Sequence, residues 1–407
     1  MTVRLPHGIA HGSNLLKLRR MGIDTYQEPV LYMAADCHVC RSEGFEARSR
    51  VEVSTEEGSV VTTLNVVYGD MLTNDEAGLS EVAWKWLHPR EGQLARMSHP
   101  KPLQSFRHVR AKLFGSRLDD QQLQEVVRDI AERRYSEVHL AAFITACGTG
   151  RLDTREILGL TRAMVAAGET LSWDQSLVAD KHCVGGLPGN RTTPIVVAIA
   201  AASGLCIPKT SSRAITSPAG TADAMETMAP VDLSIESMRR VVDREGGCVV
   251  WGGSVQLSPA DDILVRVERV LDVDTEGQLV ASVLSKKRAA GSTHLIIDIP
   301  VGSTAKVRTP EAAASLAATM SLVAAEIGIH AKVLLTDGSQ PVGRGIGPAL
   351  EAQDVLRVLR GDLDAPDDLR QRAIQLAGEL LELAGAAKAG EGVEAARAVL
   401  AIGKAWT

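Results

Sequence analysis

Aromatic side chains are scarce in this 407-residue chain. Phe, Trp and Tyr together make up 3%, so its cores must be assembled from Ala, Val, Ile and Leu rather than from rings. Cysteine is sparse as well: the six, at 37, 40, 147, 183, 206 and 248, are too few over this length for a disulfide framework. The pair Cys37-His38-Val39-Cys40 supplies only half of a structural zinc site, so no metal is expected, and a reducing cytoplasm is the expected location. A strong charge of either sign is missing: 44 Lys and Arg against 50 Asp and Glu leave a net charge of −6. That balance gives no global field for a nucleic acid polymer or an anionic membrane. The longest apolar stretch, Pro194 to Pro208, is broken by Ser203 and Gly204. It falls short of the roughly 20 residues that span a bilayer and reads as a buried helix. The N-terminus, Met-Thr-Val-Arg-Leu-Pro-His-Gly, lacks the apolar run of a secretory signal.

What remains is ordinary globular material, 45% hydrophobic and 23% charged, long enough for two or three domains at roughly 150 residues each. Residues 1–97 alternate β-type runs (Val30 to Met33, Arg50 to Val53, Val60 to Tyr68) with Gly and Asp turns, which predicts a small β-rich domain. A boundary falls near His99-Pro100-Lys101-Pro102. Beyond it Leu123, Val126, Val127 and Ile130 recur at helical spacing, and Asp153 is placed to cap a helix running to Gly168. From Asp180 the pattern alternates strands (Val249 to Trp251, Leu295 to Ile299, Lys332 to Leu335) with helices, one opened by Ser258-Pro259-Ala260-Asp261. This alternation predicts an α/β domain with a mainly parallel sheet. The tail, about 366–404, reads as helix.

The most informative segment runs from Asp180 to Thr193, Asp-Lys-His-Cys-Val-Gly-Gly-Leu-Pro-Gly-Asn-Arg-Thr-Thr, straight into a helix. Glycine-freed N–H groups, a lysine and two hydroxyls at a helix start are a recipe for holding phosphate. The segment fits neither the G-x-x-x-x-G-K-[ST] nor the G-x-G-x-x-G pattern. A second loop, Thr210 to Asp223, carries several hydroxyls and Arg213 before another helix; read alone it is equally a capping loop. Ser282 and Lys286 are four apart on a helix and share a face. Asp274 lies in a turn-like acidic cluster with Asp272, and His182 is a candidate acid or base near neutral pH. The acidic pair Asp261-Asp262 sits at a helix start, where capping explains it.

With Lys181-His182-Cys183-Val184-Gly185-Gly186, then Ser211-Ser212-Arg213-Ala214-Ile215-Thr216-Ser217, then Ser282-x-x-x-Lys286, the chain resembles the thymidine phosphorylase and AMP phosphorylase family. The resemblance covers about residues 100–400. It extends into the N-terminal domain, which marks the AMP phosphorylase branch and the bacterial type 2 thymidine phosphorylases. It implies a nucleoside phosphorylase fold: the β-rich domain at 1–97, a helical lobe from 98–175 and 256–291, and an α/β lobe from 176–255 and 292–407.

The activity implied is a pentosyltransferase one. Inorganic phosphate attacks the anomeric carbon of a nucleoside or nucleoside 5′-monophosphate and releases free base and pentose 1-phosphate. No cofactor is implied, phosphate being a co-substrate, and the expected assembly is a homodimer or larger homo-oligomer. By family match Lys181, Thr193, Ser211 and Thr221 hold phosphate and His182 lies at the sugar. Gly186, Ser212, Arg213, Ala214, Ile215, Thr216, Ser217, Thr221, Ser282, Lys286 and Lys306 bind the substrate. Asp274 is the implied proton donor, which requires burial or a neighbouring carboxylate such as Asp272 to raise its pKa. Three features depart from the family: Cys183 replaces a serine, Glu268 stands near the pyrimidine-reading arginine of the shorter enzymes, and the family's C-terminal β-containing lobe is not seen. Two other readings stand beside this one: a Mg-dependent phosphoribosyltransferase of the anthranilate type, and a catalytically silent or redox-responsive binding protein.

Overall fold

The computed structural model describes residues 14–148, 150–214, 219–255, 257–273 and 275–407. The chain divides into two compact units at Gln104/Ser105. The first contains β1 (Leu15–Arg20), β2 (Val30–Ala34), α1 (His38–Glu43), β3 (Arg50–Ser54), β4 (Ser59–Val67), β5 (Glu76–Leu79), α2 (Glu81–Leu87) and β6 (Leu94–Ser98). The strands close into a barrel in the order β1-β5-β2-β4-β3-β6, a closure that leaves no unpaired edge. The pleat explains the choice of residues: in β3, Val51 and Val53 are buried while Arg50, Glu52 and Ser54 stay half-exposed. Among the described residues the barrel's main apolar cluster is almost wholly aliphatic, with Phe45 the one buried ring in it. The two short helices are absent from the sequence pattern, since each spans fewer than two turns; α2 is held by its Ser80 cap.

The second unit opens with helices α3 (Phe106–Leu113), α4 (Asp120–Ala131), α5 (Glu137–Cys147) and α6 (Thr154–Ala166). Asp119 and Asp153 cap α4 and α6 through reciprocal bonds with Gln122 and Glu156, which satisfies amides that would otherwise be orphaned at each helix start. Leu123, Val126, Val127 and Ile130 all face the interior, as their spacing predicts. The α/β part follows: β7 (Ala179–Cys183), α7 (Thr192–Ala202), β8 (Ile207–Ser211), α8 (Thr221–Glu226), α9 (Ile235–Glu245), β9 (Gly247–Trp251), α10 (Pro259–Leu271), α11 (Glu276–Ala289), β10 (His294–Val301), α12 (Pro310–Glu326), β11 (His330–Asp337), α13 (Pro348–Arg360), α14 (Asp367–Leu383) and α15 (Gly392–Ala401). Helices α10 and α11 return to pack on α4, α5 and α6.

Among the described residues every strand pairing in this unit is parallel, β11-β10-β7 in one sheet and β8-β9 in another, with a single Val178–Cys206 bridge between them. The expected α/β class with a mainly parallel sheet is therefore the observed one. Helix α7 is buried against α14 through residues such as Ile195, Ile199, Leu376 and Leu380. One expectation is corrected. Pro194 to Pro208 is not a single buried helix: α7 ends at Ala202, Gly204 turns the chain with φ +89°, and Ile207 and Pro208 begin β8. An apolar run buried on all sides suits a buried helix and a parallel strand equally, so periodicity does not separate them. Among the described residues, no helix is long and apolar enough to cross a membrane.

Candidate active site

Strand β7 ends at Cys183, and the chain then passes through the glycine-rich loop 184–191 into α7. Gly186 has φ +82°, and a Cβ on it would lie 2.4 Å from the Lys306 amide nitrogen. Gly189 has φ +71° and would meet the Val342 carbonyl oxygen at 1.9 Å. Only glycine permits both the dihedral and the approach, and Gly186 thereby comes to lie against Lys306. Lys181 is wholly buried; its Nζ donates to Thr192 Oγ1 at 2.8 Å and Thr193 Oγ1 at 3.4 Å, with Asp298 Oδ2 at 3.8 Å. The amine and both hydroxyls thus sit at the N-terminus of α7, where the unpaired amides add positive potential.

The second loop leaves β8 at Ser211 and reaches α8 at Thr221. The helix start it reaches adds little for an anion, because α8 has only six residues, and a helix so short carries little summed dipole. The amides of Ala214 and Gly220 already donate to Asp223 Oδ2, at 2.7 and 2.9 Å. Arg213 is also engaged. It pairs with both carboxylate oxygens of Glu226, lies 3.5 Å from Asp223 and stacks over Trp251 at 4.9 Å. These acids, Glu226 foremost, raise its pKa above the ordinary guanidinium range. Arg191 connects the loops: Nη1 donates to Thr221 Oγ1 at 3.0 Å, Nη2 to the Ala219 carbonyl at 2.6 Å, and Nε pairs with Glu351. Ile215, Thr216, Ser217 and Asp274 lie outside the described residues.

Ser282 and Lys286 are both half-buried one turn apart on α11. Lys286 Nζ bonds Asp261 Oδ2 at 2.7 Å. This corrects the capping explanation for Asp261: its buried carboxylate balances Lys286, and α10 begins with Pro259 at its first position and no side-chain cap from Ser258. A buried carboxylate beside an ammonium gains more from the ion pair than from a backbone amide.

Several cations converge around β7. Lys287 pairs with Asp180 at 3.0 Å, and Lys209, buried in β8, donates to the Thr210 carbonyl. Burial first, then the neighbouring Lys287, drives the Lys209 amine well below its usual pKa. His182 keeps partial access to solvent while protein atoms surround it. Desolvation, then Lys287, Lys209, Lys286 and Lys181, push its imidazole well below its usual value. Such a histidine is neutral at neutral pH, so the surroundings oppose a general-acid role for it. The Cys183 thiol is raised to about 12, by desolvation first and then Asp298, while Asn190 Nδ2 donates to its sulfur at 3.4 Å. It is protonated and unreactive near neutrality. Cys37 and Cys40 are buried in the barrel, and the described residues hold no group of three or more metal-ligating side chains.

The sequence reading missed Lys209, Lys287, Asp180, Arg191 and Glu351. A lysine inside the apolar run Cys206-Ile207-Pro208-Lys209 was a visible signal, since an unpaired charge is rarely placed in a buried strand. The partners Asp180–Lys287 and Arg191–Glu351 are 107 and 160 residues apart and left no local trace.

The fold and these loops define a glycosyl transferase. Residues 107–168 match the family's helical bundle domain and residues 175–406 its a/b domain, and the chain belongs to that family. Within it the chain is a member of the thymidine phosphorylase and AMP phosphorylase group. It is 62% identical to a protein of Polaromonas sp. named "Putative thymidine phosphorylase", over 96% of this chain and 76% of that one. It is 61% identical to "Putative thymidine phosphorylase 2" of Acidovorax sp., over 97% and 77%. A Hahella chejuensis protein with the former name is 59% identical, over 96% and 78%. Among solved structures, anthranilate phosphoribosyltransferase from Thermus thermophilus superposes with a TM-score of 0.60 at 22% identity, covering 73% of this chain and 95% of that one. A variant of the Saccharomyces cerevisiae anthranilate phosphoribosyltransferase gives 0.58 at 13%, covering 75% and 96%. These two likenesses are of fold.

Proposed function

We propose that the protein is a phosphorolytic pentosyltransferase that cleaves the N-glycosidic bond of a nucleoside 5′-monophosphate, as a cytoplasmic homodimer or larger homo-oligomer. Phosphate, held by Lys181, Thr193, Ser211 and Thr221, attacks the anomeric carbon. The carbon–nitrogen bond breaks, the base departs with its electron pair and takes a proton from Asp274, and pentose 1-phosphate remains. A positive site beneath the sugar offsets the phosphate charge before attack, and the negative phosphate then stabilises the oxocarbenium character of the transition state. His182, neutral, is suited to hydrogen-bond the sugar. Gly186, Ser212, Ala214, Ser282, Lys286 and Lys306 bind the substrate.

The observation that supports this reading best is the joining of the two loops: Lys181 reaches Thr192 and Thr193, and the neighbouring Arg191 reaches Thr221. By the family resemblance Lys306, whose backbone lies against Gly186, serves the 5′-phosphate. A second reading, a thymidine-like nucleoside as substrate, is favoured by one observation: Arg213 is already neutralised by Glu226 and Asp223. The phosphoribosyltransferase alternative is weakened by Asp261, whose carboxylate is committed to Lys286.

The test is phosphate-dependent release of free base from thymidine, uridine, AMP, CMP and UMP, with and without Mg²⁺. Turnover of the monophosphates without Mg²⁺ is expected, and Asp274→Asn lowers kcat by at least about 100-fold while nucleotide binding persists. Turnover of thymidine alone selects the second reading. An absence of phosphate-dependent turnover on the whole panel overturns both.

A further inference from the structure

A guanidinium or an ammonium has donors and no acceptor. Where Arg191 meets Thr221 and where Lys181 meets Thr192 and Thr193, the hydroxyl oxygen must therefore accept, and its own O–H proton is left to point elsewhere. The buried cations thus fix the polarity of the hydroxyls around the site, turning each into a donor suited to an anion. Lys181 does this within its own loop. Arg191 does it across loops, because it belongs to the first loop while Thr221 and the Ala219 carbonyl belong to the second.

The geometry of Arg191 is over-determined. Its side chain is 8% exposed and that of Glu351 is fully buried. Nε pairs with Glu351 Oε2, which leaves both terminal nitrogens to fork onto Thr221 Oγ1 and the Ala219 carbonyl. Glu351 is braced in turn: its Oε1 accepts from the Gly347 amide at 3.1 Å, at the first turn of α13. An arginine braced in this way loses little freedom when it grips a second loop. Among the described amides of the second loop, those of Ala214 and Gly220 are already taken by Asp223.

We propose that Arg191, braced by Glu351, is a positioning residue that locks the second loop to the first and directs the Thr221 hydroxyl at the attacking phosphate, without itself touching the substrate. The proposal rests on the phosphorolytic reading and adds to it a residue that acts through Thr221.

The test is a kinetic cycle of Arg191→Lys, Thr221→Val and the double variant, with KM for phosphate and KM for the pentosyl substrate measured separately. Lysine keeps a cation for Glu351 and cannot make the fork. We expect R191K to raise KM for phosphate by about 10-fold or more, the scale of one lost charge-assisted hydrogen bond, with KM for the pentosyl substrate changed less than about 3-fold. In the Thr221→Val background the same substitution should add little, since its route is already cut. An unchanged phosphate KM in R191K overturns the proposal, as does full additivity with Thr221→Val. If R191K does not fold, Arg191→Met with Glu351→Leu removes both buried charges together, a replacement that folds often tolerate. It too must raise the phosphate KM, and a wild-type value overturns the proposal. Should the wild type show neither phosphate-dependent turnover nor a rise in Tm with inorganic phosphate, the underlying reading falls and the proposal with it. An active wild type with an unaffected variant fails the proposal alone.

Discussion

At the scale of single residues, charge compensation decides what each group near the site can do. Lys286 is answered by Asp261, Lys287 by Asp180 and Lys181 by Asp298 at longer range, whereas Lys209 donates to a backbone carbonyl and shares Asp180 with the neighbouring Lys287. A dianion arriving here would favour the charged form of the Lys209 amine, which burial and the neighbouring lysines otherwise oppose. Asp262 shows the opposite sign. Protein crowds one side of it while water reaches the other; desolvation, then Asp261, lifts its carboxyl to about 6 against the opposing pull of Lys286 and Arg133. Its folded-state pKa thus exceeds its ordinary value of 3.8, so the folded protein holds this proton more tightly than the unfolded chain. The stabilising effect of that proton is complete below pH 3.8 and is lost as pH rises through 6. Asp262→Asn removes this loss, so its Tm advantage over wild type should grow between pH 4 and pH 7 in scanning calorimetry; a constant difference would refute the assignment. The three ion pairs are not legible locally, because each joins residues from separate elements.

At the scale of elements, the parallel strand β7 delivers Lys181 and His182 to the carboxyl end of a sheet, and the loop 184–191 leads from it into α7. The element types followed from the sequence because strands and helices alternate with clear β-branched runs and capping residues. The loop between them was legible for the same reason, since its glycines and hydroxyls are contiguous. The turn into β8 was not, as apolar periodicity carries no boundary there. Gly186 offers a direct test of how tightly the loop is built. Alanine at φ +82° costs about 1–2 kcal/mol in backbone strain, and its methyl must also displace the Lys306 backbone. Gly186→Ala should lower stability by about 2 kcal/mol or more in urea unfolding and raise KM for the pentosyl substrate. Unchanged values for both would show that the loop does not need this approach.

At the scale of the molecule, the chain crosses between the helical layer and the sheet at three places, and all three pack together. Leu171 donates its amide to the Ala289 carbonyl at 2.7 Å, and Trp173 Nε1 donates to that of Ala290 at 2.8 Å. Leu171, Val255, Leu257, Ala289 and Ala290 share one apolar cluster with Val178. Gly168 admits the Leu257 carbonyl where a Cβ would lie 2.3 Å from it. If such a cluster acts as a pivot, the crossings stay fixed while the far ends of α10 and α11 swing toward the two hydroxyl-bearing loops. The buried Lys287–Asp180 pair anchors α11 at this same end. Phosphate with AMP should therefore reduce the radius of gyration in small-angle scattering, by hinge closure about this cluster. Identical profiles with and without the two ligands would mean that no such closure occurs.

The sequence by itself determined the class of fold, the position of the two hydroxyl-bearing loops and the family, because these depend on contiguous residues: helical and strand periodicity, caps, glycines and an ordered set of short motifs. Only the tertiary structure decided which charges cancel. Arg213 is occupied by Glu226, Asp261 serves Lys286 rather than a helix end, and Arg191 reaches across to Thr221 with Glu351 behind it. The physical reason is range: local order is written in neighbours along the chain, whereas the balance of buried charge depends on groups up to 160 residues apart that meet only after the core has closed around them.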